Sequence, residues 1–179
     1  MAEDQAGGGE TAGMGAKAPE GGPPQVSINA QYVKDLSFEN PNAPQSLTQQ
    51  EGHPQIQVNV DVQARPVAEN VYETALRINA AAKRGENSVF MVELIYAGIF
   101  TLHNIPKENH ELVCLVECPR LIFPFARRVV SDAVRDGGFP PLFLEPIDFA
   151  DLYRRHRVAA ADKADGDGAD KEPAQQQAQ

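Results

Sequence analysis

The stretch "SVFMVELIYAGIFTL", residues 88–102, decides the fold, because it alternates like a β-strand and yet is apolar on both sides. One side carries Phe90, Val92, Leu94, Tyr96, Phe100 and Leu102. The other side carries Val89, Met91, Ile95, Ala97 and Ile99, and Glu93 interrupts it. A strand that is apolar on both sides must be covered on both sides. The sheet that contains it therefore needs a helical layer on one face and a further partner on the other.

Three earlier segments also alternate with the period of a strand, at residues 26–39, 55–65 and 70–84. In the first segment we expect the apolar even positions to share one face; they are Val26, Ile28, Ala30, Tyr32, Leu36 and Phe38. The sequence "KRGEN", residues 83–87, has the glycine of a tight turn, so the third and fourth strands should form a hairpin.

Helical patterns follow the strands. We expect a short helix over residues 108–117 that ends at Pro119, a main helix over residues 122–136 that ends at two glycines, and a last helix that begins near Asp148. The apolar stripe of the main helix is Ile122, Phe125, Ala126, Val129, Val130, Ala133 and Val134. Strands followed by helices indicate an α+β fold. Because one helical layer covers one face only, we expect another copy of the chain to cover the second apolar face.

The two ends of the 179-residue chain differ in composition from its middle. Residues 1–24 contain no Leu, Ile, Val or aromatic residue, and residues 159–179 are equally poor in core-forming side chains. We expect both to be disordered tails of one domain at residues 25–158. With no visible secretory signal or membrane-length apolar run, we expect a cytoplasmic protein that does not insert into membranes. The net charge of -9 argues against nucleic acid as a partner.

The spacing of His110, Cys114 and Cys118 suggests a metal site at first sight. On one helix, however, the first and last of these residues lie about 12 Å apart, too far to share a zinc ion. We therefore expect no metal, and the two cysteines to be small buried side chains. The sequence also has no nucleophile with its base and no glycine-rich phosphate loop after a strand, so we expect neither a cofactor nor an enzyme.

Two further features admit a functional and a purely structural interpretation. Asp35 and Glu39 project from the polar face of the first strand, and with Glu93 they could form an acidic site for a basic partner or simply be solvated. The loop after the main helix carries apolar side chains among prolines, where a surface connection is normally polar. These side chains, Phe139, Leu142, Phe143 and Leu144, either pack the last helix onto the sheet or form a binding surface.

Four motifs resemble the SecB family of bacterial protein-export chaperones: "YVKDLSFENPNAP", "NVYETALRI", "AGIFTL" and "CPRLIFPFARRVVSDAVRDGGFPPLFLEPIDFADLY". The resemblance covers roughly residues 26–155 and keeps the family's order of motifs. It implies a four-stranded antiparallel sheet with helices packed on one face, in a homotetramer built as a dimer of dimers. It also implies an ATP-independent cytoplasmic chaperone that holds unfolded secretory preproteins and delivers them to the SecA motor for export.

The resemblance also implies site residues. The SecA-docking positions correspond to Asp35, Glu39, Met91 and Glu93. The subunit interface corresponds to Val92, Leu94 and Tyr96, where Val92 stands at a position that can be a cysteine in the family. The client-binding groove corresponds to Phe38, Ile56, Val58, Val60, Phe139, Leu142, Phe143, Leu144, Phe149 and Leu152. Apart from the resemblance, an adaptor for one folded partner and a small-molecule-binding domain remain alternatives.

Overall fold

The computed structural model describes residues 22–48 and 52–166, with side chains up to residue 159. Four strands form one antiparallel sheet in the order β1-β4-β3-β2. They are β1 (Gln25–Glu39), β2 (Gln55–Ala68), β3 (Val71–Arg84) and β4 (Asn87–His103). A short helix, α1 (Gln45–Thr48), lies in the connection between β1 and β2, which the sequence did not predict. The predicted α+β fold, with its hairpin of β3 and β4, is confirmed.

The first strand departs from the simple alternation that its sequence predicts. Two β-bulges interrupt its pairing with β4, one between Ile28 and Ala30 and one between Val33 and Asp35. Each bulge inserts one extra residue and moves the side chains that follow to the opposite face. Ala30 and Tyr32 lie between the bulges and project from the face away from the helices. The expectation that all even positions of β1 share one face is therefore wrong.

The helical part begins as one continuous segment rather than two helices. It consists of a 3₁₀ turn (Lys107–Asn109), α2 (His110–Leu112), a π-helical turn (Val113–Glu117) and α3 (Cys118–Asp136). The predicted break at Pro119 is wrong, and the π-helical turn explains why. Proline has no N–H to donate to the carbonyl five residues earlier, that of Cys114. The buried hydroxyl of Thr74 on β3 donates to this carbonyl instead, at 3.0 Å.

The predicted end of the main helix at the two glycines and the predicted start of the last helix near Asp148 are confirmed. Gly138 has a φ of 88°, and the hydrogen bonds Gly138 N–H to Arg135 O (3.0 Å) and Phe139 N–H to Val134 O (3.2 Å) form a Schellman motif. The last helix, α4 (Phe149–Gly166), is capped by Asp148, whose carboxylate accepts a hydrogen bond from the backbone N–H of Asp151, the third residue of the helix (3.0 Å). This bond lowers the pKa of Asp148. The helix continues past residue 158, where we expected the domain to end, and residues 1–21 of the predicted N-terminal tail lie outside the described residues.

The hydrophobic core lies between α3 and the inner face of the sheet, meaning the face toward the helices. The fully buried residues of α3 in this core include Cys118, Ile122, Ala126, Val130 and Val134. Phe125, which the sequence places in the same stripe, is instead 41% exposed on the outward side of the helix. The helices cover β3 and β4 but cover the edge strands only in part. Several apolar side chains on the inner face of β1 and β2 therefore remain more than 40% exposed, namely Ile28, Val33, Leu36, Ile56 and Val58.

Candidate functional site

The outer face of the sheet, which is turned away from the helices, carries the predicted acidic site. The register pairs Glu39 with Met91, and Glu93 lies two residues along β4 on the same face. Asp35 pairs with Ile95, the next outward-facing position. Directly paired side chains in an antiparallel sheet lie about 4.5–5.5 Å apart at Cβ, so the four predicted docking residues form one continuous patch. Among the described residues, none of its three acids has an ion-pair partner.

The opposite end of the outer face is organised around the buried carboxylate of Glu73. Glu73 is 3% exposed and binds the hydroxyl of Tyr32, the guanidinium of Arg65 and the ammonium of Lys34, the last at 3.1 Å. These four residues come from three strands, and the small side chain of Ala97 lies between them on β4. The hydrogen bonds from Arg65 and Tyr32 lower the pKa of Glu73 to about 2. The carboxylate at this end of the face is therefore paired with two cations, whereas no acid of the acidic patch is paired with a cation among the described residues.

On the inner side of the sheet, an apolar groove of about 540 Å³ opens between β2 and the loop after α3. It is lined by Leu47 of α1, Ile56 of β2, Phe90 of β4, and Phe139 and Leu142 of the loop. The polar atoms at its rim come from the connection between β1 and β2 and from the end of β3. The groove is thus bounded by an edge strand on one side and by a proline-rich loop on the other.

Two phenylalanines, Phe90 and Phe139, line this groove, and a third, Phe38, packs against both of their rings. The ring of Phe90 lies 5.0 Å from that of Phe139 and 5.9 Å from that of Phe38, measured between centroids. Phe38 packs directly under the end of α3, where a Cβ atom at Gly137 would come within 2.2 Å of its ring. Any larger residue at position 137 would displace Phe38, so the glycine that ends the helix also makes room for the ring that supports Phe90 and Phe139.

The remaining predicted groove residues lie in different environments. Val58 is exposed beside the groove on β2, and Val60 is half-buried against the core. Phe143 is 69% exposed and lines a separate cavity of about 670 Å³ against α3. Leu152 lines a third cavity, of about 220 Å³, between β2 and α4. Leu144 and Phe149 belong to the core, with 5% and 1% exposure, and the ring of Phe149 packs edge-on against that of Phe123 at 5.7 Å.

The three residues predicted at the subunit interface are buried within the single chain. Val92, Leu94 and Tyr96 are 1%, 0% and 7% exposed on the inner face of β4. They belong to the same core cluster as the buried residues of α3. A substitution at these positions therefore acts first on the packing of α3 within the subunit.

Of the three residues that resembled a metal site, Cys114 and Cys118 are buried, as expected, and His110 is hydrogen-bonded within the protein. The Nε2 of His110 lies 2.9 Å from the carbonyl oxygen of Ile105, so it carries the proton and donates. The Nδ1 then accepts from the hydroxyl of Tyr72, at 2.8 Å. Both ring nitrogens are thus occupied by protein partners. Within residues 22–48 and 52–166, no group of three His, Cys, Asp or Glu side chains is arranged to hold a metal ion, and no helix is long and apolar enough to cross a membrane.

Comparison with known proteins identifies the family. Residues 19–160 match the family model described as preprotein translocase subunit SecB. The chain belongs to the SecB family. The SecB protein-export protein of Rhodopseudomonas palustris is 54% identical over 138 residues, covering 77% of this chain and 88% of its own. The SecB protein of a Bradyrhizobium species is 51% identical over 156 residues, covering 86% and 96%. The predicted family and its class of function, a protein-export chaperone, are confirmed.

A solved structure supports the SecB fold independently of close sequence similarity. A SecB-like chaperone of Mycobacterium tuberculosis, in complex with a ChAD peptide from an antitoxin, superposes with a TM-score of 0.58. It is 12% identical and covers 68% of this chain and 90% of its own. At this identity the match shows the shared SecB fold alone.

Two parts of the site in this SecB protein were missed by the sequence argument. The Glu73 cluster gives only a weak sequence signal, the lysine at position 34 that interrupts the apolar positions of β1. Leu47 and Phe90 line the groove, but the first lies in a polar connection and the second in a strand expected to be core. Leu47 of α1 contacts the loop after α3: a Cβ atom added at Gly138 would lie 3.1 Å from its side chain. This contact brings Leu47 and Phe90 into one groove, and the sequence alone does not reveal it.

Proposed function

We propose that this protein binds unfolded secretory preproteins in the cytoplasm, without ATP and without catalysis, and passes them to SecA. The observation that carries the proposal is the open aromatic groove beside an uncovered edge strand. Apolar burial is non-directional and contributes about 25 cal/mol per Å², so a groove lined by Ile56, Phe90, Phe139 and Leu142 suits clients of many sequences. The free edge of β2 offers backbone hydrogen bonds that are equally independent of sequence.

Client binding is proposed to extend from the groove in two directions. Val58 continues the apolar surface along β2, and Phe143 presents a largely exposed ring on the far side of the proline-rich loop. Leu144 and Phe149, which the resemblance also implies, would support the loop from the core rather than contact client. An unfolded chain that follows this path would bury apolar surface in several separate places, which favours extended segments over folded domains.

An aggregation assay with matched variants tests this proposal. The full-length protein should suppress aggregation of several unrelated denatured preproteins without ATP. Val58→Ser should weaken this activity. Val67→Ser changes a valine of β2 that is even more exposed but lies away from the groove, and should leave the activity unchanged. Suppression of only one client would favour the adaptor alternative, and equal loss in the two variants would contradict the location of the groove.

We further propose that SecA docks on the acidic patch of Asp35, Glu39, Met91 and Glu93, through its basic, zinc-bearing C-terminal tail. The patch suits a basic ligand because its three carboxylates have no cationic partner among the described residues. Neutralising the three acids together should weaken binding of SecA and reduce its dependence on salt, because screening acts on the charges that are removed. Glu86→Gln, in the exposed turn between β3 and β4, is the matched control. Unchanged affinity of the triple variant would exclude this docking site.

The proposed assembly is a tetramer formed as a dimer of dimers. Such an assembly needs two different contacts, and two apolar surfaces of the subunit are exposed. One is the edge strand β1 with Ile28, Val33 and Leu36, and the other is the outward side of α3 with Leu121 and Phe125. A long apolar edge strand is a template for pairing with another chain. Native mass measurement tests this proposal, and a monomer at micromolar concentration would contradict it.

A further inference from the structure

A small notch opens on the outer face of the sheet, next to the acidic patch. It has a volume of about 80 Å³. Its polar lining comes from three neighbouring strands: Gln57 and Asn59 of β2, Asn79 of β3, and Glu93 of β4, with Met91 at the side. The register pairs Asn79 with Asn59 on one side and with Glu93 on the other. Three residues with side-chain amides and one with a carboxylate therefore line a single notch on the face on which SecA is proposed to dock.

The amide of Asn79 has an unmet hydrogen-bonding requirement. Its Oδ1 is buried and accepts no hydrogen bond from any described residue. A buried acceptor without a donor destabilises the fold, and such atoms are uncommon enough to require an explanation. The Cβ–Cγ torsion of asparagine is broad, so a small rotation can turn this oxygen toward the notch. A donor that enters the notch from outside would then satisfy it.

The size and charge of the notch select the donor. Its volume is that of roughly two to three water molecules, at about 30 Å³ each in liquid water. This accommodates a compact ammonium group better than a planar guanidinium, and lysine carries three donors on that group. Glu93 supplies the compensating charge, and Asn79 with Asn59 or Gln57 supplies the two other acceptors. We propose that the notch binds one lysine side chain of the basic segment that docks on the acidic patch, an inference that rests on the docking proposed above.

A lysine held here would also determine how the segment lies on the sheet. The notch is centred on β3, and Asp35 and Glu39 are on β1, two strands away. Strands lie about 4.8 Å apart, so this separation is about 10 Å. An extended chain advances about 3.3 Å per residue and covers this distance in about three residues. The docked segment should therefore carry a second basic residue about three positions from the lysine.

Calorimetric titration of full-length protein with the zinc-loaded C-terminal tail of SecA tests the assignment. Asn79→Ala should weaken binding by about tenfold or more, because a hydrogen bond to a charged donor is lost. The same variant should not lower the midpoint of urea unfolding, because it removes an acceptor that the free protein leaves unpaired. Gln63→Ala is the matched control. The amide of Gln63 lies on the same face of β2, four residues beyond Asn59, which is about 14 Å at about 3.4 Å per residue.

A cycle of double variants identifies the residue that enters the notch. Each lysine and arginine of the tail is replaced by alanine in turn. The affinity of every tail variant is then measured for the wild-type protein, for Asn79→Ala and for Glu93→Gln. One lysine should show coupling to both positions. Coupling to an arginine alone, no coupling to Asn79, or a loss of stability in Asn79→Ala without loss of affinity would overturn the inference. If the wild-type protein fails to bind the tail, or the triple acid variant binds it unchanged, the docking proposal itself fails.

Discussion

Phe143, in the loop after α3, and Phe149, at the start of α4, offer a matched test of the proposed client-binding surface. Both line the cavity against α3, but Phe143 is 69% exposed and Phe149 is 1% exposed. Phenylalanine buries about 150–250 Å² when fully covered, so about 50–80 Å² of Phe143 is covered in the free subunit. At 25 cal/mol per Å² its removal in Phe143→Ala should lower the free energy of unfolding by at most about 1–2 kcal/mol. Phe149→Ala should lower it by about 3–5 kcal/mol.

The effects on client affinity should have the reverse order: among folded protein, Phe143→Ala should weaken client binding more than Phe149→Ala does. Covering the exposed ring of Phe143 with client removes more apolar surface from water than the fold itself does. We therefore expect Phe143→Ala to weaken client affinity at least about fivefold, that is by about 1 kcal/mol, with the native mass unchanged. Urea unfolding at fixed protein concentration and aggregation suppression are measured on the same samples. If Phe143→Ala unfolds as easily as Phe149→Ala, or if it captures client normally, Phe143 is not a client-binding residue.

Three further substitutions test the structural arguments. The pKa of Glu73 is lowered from 4.5 to about 2, so its ion pairs and hydrogen bonds stabilise the fold fully above about pH 4.5, and this stabilisation is lost as the pH falls toward 2. The free energy of unfolding of Glu73→Gln, measured in urea, should therefore depend less on pH between these values. Leu94→Lys should lower the unfolding free energy by several kcal/mol, since it places a charge at a position with 0% exposure. A lower native mass with unchanged stability would instead indicate a direct role of Leu94 in the proposed assembly. Thr74→Val leaves the Cys114 carbonyl without its donor and should lower the unfolding free energy by about 1–3 kcal/mol; an unchanged value would contradict the explanation given for the helix through Pro119.

Much of the fold could be predicted because its signals are local. The alternation of residues 55–65 and 88–102 predicted two strands that the structure contains, and the glycine pair after residue 136 predicted the end of α3. The predicted break at Pro119 failed because the hydroxyl that replaces the missing donor comes from β3, more than 40 residues earlier in the chain. No local pattern contains that contact.

The candidate site likewise depends partly on local sequence and partly on contacts between distant residues. By itself, the sequence determined the family, the α+β order of elements, and which residue types were available: three acids, an apolar proline-rich loop and a doubly apolar strand. Only the tertiary structure decided which of them meet. The bulges of β1 turn Tyr32 toward Glu73, the register of β4 places Glu93 beside Asn79, and the packing of α4 buries Phe149 while leaving Phe143 exposed. Each of these outcomes depends on contacts between residues distant in sequence, whose geometry is set by the whole packed chain rather than by any one segment.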